Sequence, residues 1–203
     1  MSSKKVVIVI GSPRKNGNSA TLARKAAEGA RAKGAEVDIF YLHEMDIKPC
    51  TACDVCRDDT SRDCNINDDM SKLYPKLRQA DALIIASPVF WFTVAAQTKL
   101  FMDRCYALGG PQGYALKGKR IGVILTYGDI DPFKSGAVNA IRTFQDMFAY
   151  IGSSIVDIVY GSASKAGEIK NNRAVVEKAY IMGKVISDVN NGHETFHAAS
   201  SPA

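Results

Sequence analysis

The stretch that decides the fold is residues 6–19, which read VVIVIGSPRKNGNS. Val6 to Ile10 is a continuously apolar, β-branched run, which is typical of a strand buried on both faces of a parallel sheet. Gly11 ends this run, and from Ser19 small and apolar residues recur every three or four positions, as on one face of a helix. Val37 to Leu42 follows as a second strand. A strand, a helix and a strand within about forty residues predict a parallel crossover unit.

The same alternation continues along the chain. Further strands are predicted at 82–86, 119–126 and 155–160, and further helices after Asn67 and at 94–106, 141–148 and 175–189. Five strands alternating with five helices predict an α/β fold with a doubly wound, five-stranded parallel sheet. We expect one domain over residues 1–190, interrupted by a polar, cysteine-rich loop at 44–66, and a disordered tail at 191–203.

Composition excludes several classes of protein. The chain has 203 residues, of which 46% are hydrophobic and 23% charged, as in an ordinary globular domain. Its formal net charge of +5 is small and scattered, so neither a nucleic acid nor a membrane is expected as a partner. No segment reaches the roughly 18 apolar residues of a membrane span. The apolar run at 6–10 is too short for a signal peptide, so we expect a cytoplasmic protein.

The loop after the first strand has the parts of a phosphate site. It lacks the Gly-Lys-Ser/Thr ending of a nucleotide-triphosphate loop and the G-x-G-x-x-G spacing of a dinucleotide fold. A helix N-terminus follows it, and Ser12, Asn18 and Ser19 add side-chain donors. Arg14 can neutralise a dianion. The loop therefore predicts binding of a phosphate monoester; the alternative is a plain turn with Ser19 as helix cap.

An aromatic loop follows the third predicted strand. Phe90, Trp91 and Phe92 come just after the buried run, and Pro88 stiffens the turn. A flat ligand with a polar edge needs apolar walls of this kind. The alternative is that these rings belong to the core or to a contact between subunits.

Four of the five cysteines are close together, in the pattern Cys50-x2-Cys53-x2-Cys56-x7-Cys64. In a reducing compartment such spacing favours a metal or redox site over disulfides. Compact runs of this kind occur in iron–sulfur ligation. Structural zinc more often uses two separated Cys-x2-Cys pairs, although a histidine such as His43 can complete a zinc site. Free or redox-active thiols are the third alternative, and Cys105 is expected to be a buried free cysteine.

Two motifs carry a family resemblance. Gly11-Ser12-Pro13-Arg14-x-x-Gly17-Asn18-Ser19 and Ser87-Pro88-Val89-Phe90-Trp91-Phe92, the latter followed by Ala95-Ala96-Gln97 and Lys99-x-Phe101-x-Asp103-Arg104, resemble the flavodoxin-like NAD(P)H-dependent FMN reductases. The resemblance implies sheet order 2-1-3-4-5 and bound FMN. It implies that the FMN phosphate is held by Ser12, Arg14, Asn18, Ser19 and Ala20. It implies that the flavin ring lies along Pro88, Val89, Phe90 and Trp91, and is bordered on its other side by Thr126, Tyr127, Gly128 and Asp129.

The cysteine spacing resembles the iron–sulfur flavoprotein branch of that family, which inserts its cysteine motif after the second strand. This resemblance implies that Cys50, Cys53, Cys56 and Cys64 bind a [4Fe-4S] cluster that exchanges electrons with the flavin. NAD(P)H is then a candidate donor, and a homodimer or homotetramer that contacts a small-molecule or protein redox partner is expected. The alternatives are a cluster-free FMN or quinone reductase, a flavodoxin-like electron carrier, and a zinc-stabilised binding module.

Overall fold

The structure is a computed structural model that describes residues 3–58 and 63–188. The expected tail at 191–203, with His193 and His197, lies outside the described residues, as does the end of the last predicted helix at Val189. The elements are β1 (Lys5–Ile10), α1 (Asn18–Ala32), β2 (Glu36–Tyr41), α2 (Val55–Asp58), α3 (Met70–Gln79), β3 (Ala82–Phe90), β4 (Thr93–Val94), α4 (Ala96–Arg104), β5 (Gly109–Gly110), β6 (Gly113–Tyr114), β7 (Arg120–Tyr127), α5 (Ala137–Ile151), β8 (Ser154–Ser162) and α6 (Arg173–Ile186).

Five long strands form one parallel sheet in the order β2-β1-β3-β7-β8. This is the predicted order 2-1-3-4-5, with β7 and β8 as the fourth and fifth strands, and it is the flavodoxin-like variant of the doubly wound fold. The three central strands β1, β3 and β7 are buried along almost their whole length, because helices cover both faces of the sheet there.

Two apolar cores lie on opposite faces of the sheet. Helices α1 and α6 cover one face, and α3, α4 and α5 cover the other. The first pair packs closely because glycines lie at the contact: a Cβ on Gly29 would be 2.0 Å from the Tyr180 carbonyl oxygen, and one on Gly183 would be 1.9 Å from that of Ala26.

The third strand is longer than the sequence predicts. The expected end at Ser87-Pro88 is wrong, because β3 continues to Phe90 and turns back as β4. β1 pairs with β3 only as far as Ala86. A proline is tolerated in a strand where no ladder bond needs its N–H, and Pro88 lies beyond that last pair.

Residues 42–69 separate β2 from α3, and in their described part they contain one 3-10 turn at Leu42–Glu44 and the short helix α2. The helix expected directly after Asn67 begins at Met70, where the Asp68 carboxylate accepts the Met70 N–H at 3.0 Å. Within residues 3–58 and 63–188, no helix is both long enough and apolar enough to cross a membrane.

Candidate functional site

The loops that follow β1, β3, β7 and β8 meet at the carboxyl edge of the sheet, where doubly wound folds bind ligands. The Gly11 N–H donates to the Ala86 carbonyl at 2.8 Å, which joins the first loop to β3. A Cβ on Gly11 would lie 1.9 Å from Thr98 Oγ1, so only glycine allows this close approach between β1 and α4. The loop after β1 is thus packed tightly against β3 and α4 at this edge.

The first loop gathers donors around the N-terminus of α1. The first N–H groups of a helix have no carbonyl of their own helix to pair with, so they are available to an anion. Ser19 is buried, and its Oγ has no hydrogen-bond partner among the described residues. Ser12 is buried as well, with its Oγ 3.2 Å from both the N–H and the carbonyl oxygen of Arg14. The Arg14 side chain is exposed. An orphaned buried hydroxyl beside free amides suits a phosphate oxygen.

Asn18 has a different role in the same loop. Its Nδ2 donates to the carbonyls of Ala163 and Lys165, both at 3.0 Å, and its Oδ1 accepts the Ile169 N–H at 3.2 Å. The side chain therefore ties the first loop to the loop after β8. Its backbone N–H, in the first turn of α1, is what remains for an anion.

The loop after β3 is a tight hairpin with aromatic residues at its tip. Trp91 and Phe92 occupy its two turn positions with φ of 49° and 69°, a left-handed conformation that bulky residues rarely adopt. Trp91 is 93% exposed. The Asn139 side chain donates to the Phe92 carbonyl at 3.2 Å, and Gly136 lies against the Phe92 backbone. α5 therefore holds the hairpin in this strained form.

Ser87 supports the base of the hairpin. Its buried Oγ accepts the Ala95 N–H and the Thr98 hydroxyl, each at 3.0 Å, and donates to the Pro88 carbonyl at 2.8 Å. Thr98, which packs against Gly11 and bonds to Ser87, thus connects the loop after β1 with the loop after β3. No signal in the sequence marks Thr98, which lies in the first turn of α4 and belongs to no motif.

The third loop follows β7. Thr126 and Tyr127 are buried at the strand end, whereas Gly128 and Asp129 are exposed in the loop. Burial raises the pKa of Tyr127. The Gly128 carbonyl accepts the Ser164 hydroxyl at 2.9 Å, so this loop is joined to the one after β8. The three predicted flavin segments therefore lie on one connected edge.

The four clustered cysteines lie on the loop between β2 and α3. Cys50 and Cys53 are exposed, Cys64 is half-buried and Cys56 is buried. Burial raises the pKa of Cys56, and the charge of Cys64 raises it further, whereas the Val55 N–H lowers the pKa of Cys53. Within 3–58 and 63–188, no three side chains of Cys, His, Asp or Glu are gathered as a metal site. The thiol donor set suits an iron–sulfur cluster, but this conformation does not bring the thiols to one point.

Arg57 fastens the cysteine loop to the body of the protein. Its guanidinium lies 3.8 Å from the centre of the Tyr106 ring, and its Nη2 donates to the Tyr114 hydroxyl at 2.8 Å. A Cβ on Gly109 would be 2.2 Å from Arg57 Nη1, so the glycine of β5 makes room for this side chain. The residue next to Cys56 is therefore held by a cation–π contact and a hydrogen bond.

A cleft of ≈ 550 Å³ lies beside this loop. Cys50 and Asp54 line it on one side, and Met102, Tyr106 and Tyr150 line it on the other. His43, considered above as a zinc ligand, has its Nδ1 3.2 Å from the amide nitrogen of Gln97. Cys105 is buried, as expected, and burial raises its pKa to about 12.

Comparison with known proteins identifies the family of the chain. The family model of NADPH-dependent FMN reductase matches residues 4–168. An iron–sulfur flavoprotein of Methanocaldococcus jannaschii is 30% identical over 190 residues, covering 91% of this chain and 96% of that protein. An iron–sulfur flavoprotein of Methanosarcina thermophila is 35% identical over 170 residues, covering 84% of each chain.

A solved structure, an NAD(P)H:quinone oxidoreductase from Methanothermobacter marburgensis, superimposes with a TM-score of 0.71 at 17% identity, over 95% of this chain and 100% of that one. At this identity the likeness supports the fold alone. Together with the family match over residues 4–168, these relatives show that the chain belongs to the NADPH-dependent FMN reductase family, in its iron–sulfur flavoprotein branch, and is an FMN-dependent NAD(P)H oxidoreductase.

Proposed function

We propose that this oxidoreductase transfers electrons between FMN at the carboxyl edge of the sheet and a [4Fe-4S] cluster held by Cys50, Cys53, Cys56 and Cys64. The observation that carries the proposal is the presence on one chain of two separate groups of residues suited to these cofactors. One is a phosphate cradle with an orphaned buried hydroxyl, and the other is a loop of four thiols fastened to the same domain.

For the flavin site, we assign the phosphate to Ser12, Arg14, Ser19 and the backbone amides of Asn18 and Ala20. The Arg14 guanidinium, which is exposed and without a partner among the described residues, supplies the compensating charge. The flavin ring is assigned to Pro88, Val89, Phe90 and Trp91 on one side and to Thr126, Tyr127, Gly128 and Asp129 on the other. Bound FMN supplies the redox chemistry, accepting electrons in pairs and releasing them singly.

The protein's own contribution at this edge is positioning. The close packing of Gly11 against Thr98, together with the hydrogen bond from Thr98 to Ser87, fixes the loop after β1 relative to the loop after β3. No side chain is assigned as a general acid or base, because the flavin carries the chemistry.

For the cysteine loop, the support is the donor set and the relatives named iron–sulfur flavoprotein. An iron–sulfur cluster takes thiolate ligands and exchanges single electrons. Binding therefore requires the exposed Cys50 and Cys53 to approach the more buried Cys56 and Cys64.

The second candidate function is a cluster-free FMN or quinone reductase. It is favoured by one observation, that the described thiols are not gathered as a metal site. In that case the same flavin edge serves NAD(P)H and a small acceptor, and the cysteines are free thiols.

We further propose a cytoplasmic homo-oligomer whose contact includes the aromatic hairpin. Phe90, Trp91 and Phe92 are 48%, 93% and 55% exposed, which is unusual for three consecutive aromatic residues in a protein that acts alone.

The test is a matched pair of cysteine variants prepared without oxygen. Cys53→Ser should lose iron and keep FMN, whereas Cys105→Ala, which removes a buried thiol outside the loop, should keep both. Equal iron in Cys53→Ser and wild type would show that the assigned ligands are wrong. Iron-free wild type with bound FMN after reconstitution would favour the cluster-free reductase.

A further inference from the structure

The cysteine loop is closed at its base by one buried arginine from α4. The Arg104 Nη1 donates to the Lys48 carbonyl at 2.8 Å, two residues before Cys50. The guanidinium also donates through both terminal nitrogens to the Asp68 carboxylate, four residues after Cys64. Arg104 therefore holds both ends of the loop, although it lies 36 positions from Asp68 and 56 from Lys48.

Direct bonds between the two ends complete this closure. The Asp68 carboxylate accepts the Lys48 N–H at 2.9 Å, and the Asp69 carboxylate accepts the Asp46 N–H at 2.8 Å. The Asp69 N–H donates back to the Asp46 carbonyl at 2.9 Å. We call Arg104, Asp68, Asp69 and the Asp46–Lys48 backbone the loop clasp.

The ion pair in the loop clasp is fully withdrawn from water. The side chains of Arg104 and Asp68 are 1% and 0% exposed. The Tyr74 hydroxyl donates to the Arg104 carbonyl at 3.1 Å, which also holds the backbone of Arg104 in place. A buried pair of this kind tolerates loss of one partner poorly, because the other charge is left uncompensated.

Arg104 is charged at this buried position. Burial alone would lower its pKa, but the hydrogen bonds to Asp68 and the neighbouring charges together outweigh burial and raise that pKa. Arg104 Nε is buried and has no hydrogen-bond partner among the described residues.

We propose that Arg104 is the positioning residue of the cysteine site: through Asp68 and the Lys48 carbonyl it closes the loop at its base. The closure is independent of any bound group. The consequence for iron binding rests on the proposed function, since the loop that Arg104 closes carries the four assigned thiols.

The closure is tested on metal-free protein by hydrogen–deuterium exchange over residues 46–69 and by the alkylation rates of Cys56 and Cys64. In Asp68→Asn, both rates should rise by about 10- to 100-fold, because the pair loses its anion. Arg104→Lys keeps the charge but not the forked geometry, so it should raise the exchange and alkylation rates less than Asp68→Asn does. Arg142→Gln, which removes an exposed arginine paired with Asp146 on α5, is the matched control and should change neither rate.

A variant that removes both charges guards against misfolding. Arg104→Met/Asp68→Leu replaces the pair with apolar side chains of similar size, which buried pairs often tolerate. It should keep FMN binding and global stability while the 46–69 segment exchanges faster. Unchanged exchange and alkylation in this folded variant would overturn the proposal, because a general structural role lowers global stability without singling out the loop.

Iron retention then separates the two claims. Wild type that retains iron, with a faster loss of iron from Asp68→Asn, supports both. If wild type binds no iron but the variants still loosen the loop, the cluster assignment fails and the loop clasp stands. If the variants retain iron as firmly as wild type and their loops are not loosened, Arg104 is not the positioning residue.

Discussion

Asn18→Ala removes three hydrogen bonds that join the phosphate loop to residues 163–169. A typical intramolecular hydrogen bond contributes a net 0.5–1.5 kcal/mol, so for these partly solvated bonds we expect a loss of about 2–3 kcal/mol. In a domain of this size, 1 kcal/mol lowers the Tm by about 2–4 °C, which predicts a fall of about 4–12 °C.

The assay compares thermal unfolding of the flavin-free protein with FMN affinity from a flavin fluorescence titration. Because the three bonds are internal, the loss of stability in Asn18→Ala should be present without FMN. Ser19→Ala is the matched control from the same helical turn. Its Oγ is buried without a partner among the described residues, so flavin-free stability should not fall, whereas FMN affinity should decrease by about 10- to 100-fold.

Asn18→Ala is therefore expected to lower flavin-free stability, whereas Ser19→Ala is expected to lower FMN affinity without lowering that stability. The reasoning would be refuted if flavin-free Asn18→Ala unfolded within about 1 °C of wild type while its FMN affinity fell as in Ser19→Ala. That result would make the Asn18 side chain a phosphate ligand and not a tie between loops.

Three further predictions concern charged side chains. Arg14→Ala should weaken FMN binding by about 10- to 100-fold in the same titration without lowering flavin-free Tm, since its exposed guanidinium has no partner among the described residues; a lower Tm would contradict this. Arg57→Ala should speed alkylation of Cys56 by about 10-fold, as measured by peptide mass spectrometry, because the cation–π contact and hydrogen bond that fasten the loop are lost; an unchanged rate would speak against that role. Burial raises the pKa of Asp68, but the hydrogen bonds from Arg104 and from the Lys48 and Met70 N–H groups together outweigh burial and lower that pKa from its ordinary 3.8. The contribution of the Asp68 carboxylate to stability is therefore present above the ordinary carboxyl pKa and is lost as pH falls through the folded pKa. In denaturant titrations, the difference in free energy of unfolding between wild type and Asp68→Asn should narrow from about pH 5 towards pH 2. A difference that stays constant over this range would contradict the prediction.

The fold could be predicted because each of its strands is marked by a local sequence pattern. Each central strand is a short apolar run ended by a turn residue, and each helix has its own stripe, so the order of elements followed from the chain alone. The hairpin at Trp91 and Phe92 could not, because turns of this kind normally contain glycine or asparagine. Its left-handed residues are held by Gly136 and Asn139, which lie far along the chain.

The sheet brings the predicted loops to one edge, but the hydrogen-bond partners of their side chains could not be predicted. The motif that resembles the FMN reductases marked Asn18 as a phosphate ligand, whereas its side chain is engaged by a loop 145 positions away. Likewise, the sequence marked Arg104 within a motif but had no signal for its buried pair with Asp68. Such long-range hydrogen bonds depend on which loops the sheet brings together, and no local pattern encodes them.

The central claim is that one chain carries a flavin at the sheet edge and an iron–sulfur cluster in the cysteine loop. The most direct measurement is the content of iron, acid-labile sulfide and FMN per chain in wild-type protein reconstituted and purified without oxygen. The account predicts about four iron atoms, about four sulfides and about one FMN per chain. One FMN per chain with neither iron nor sulfide would contradict it.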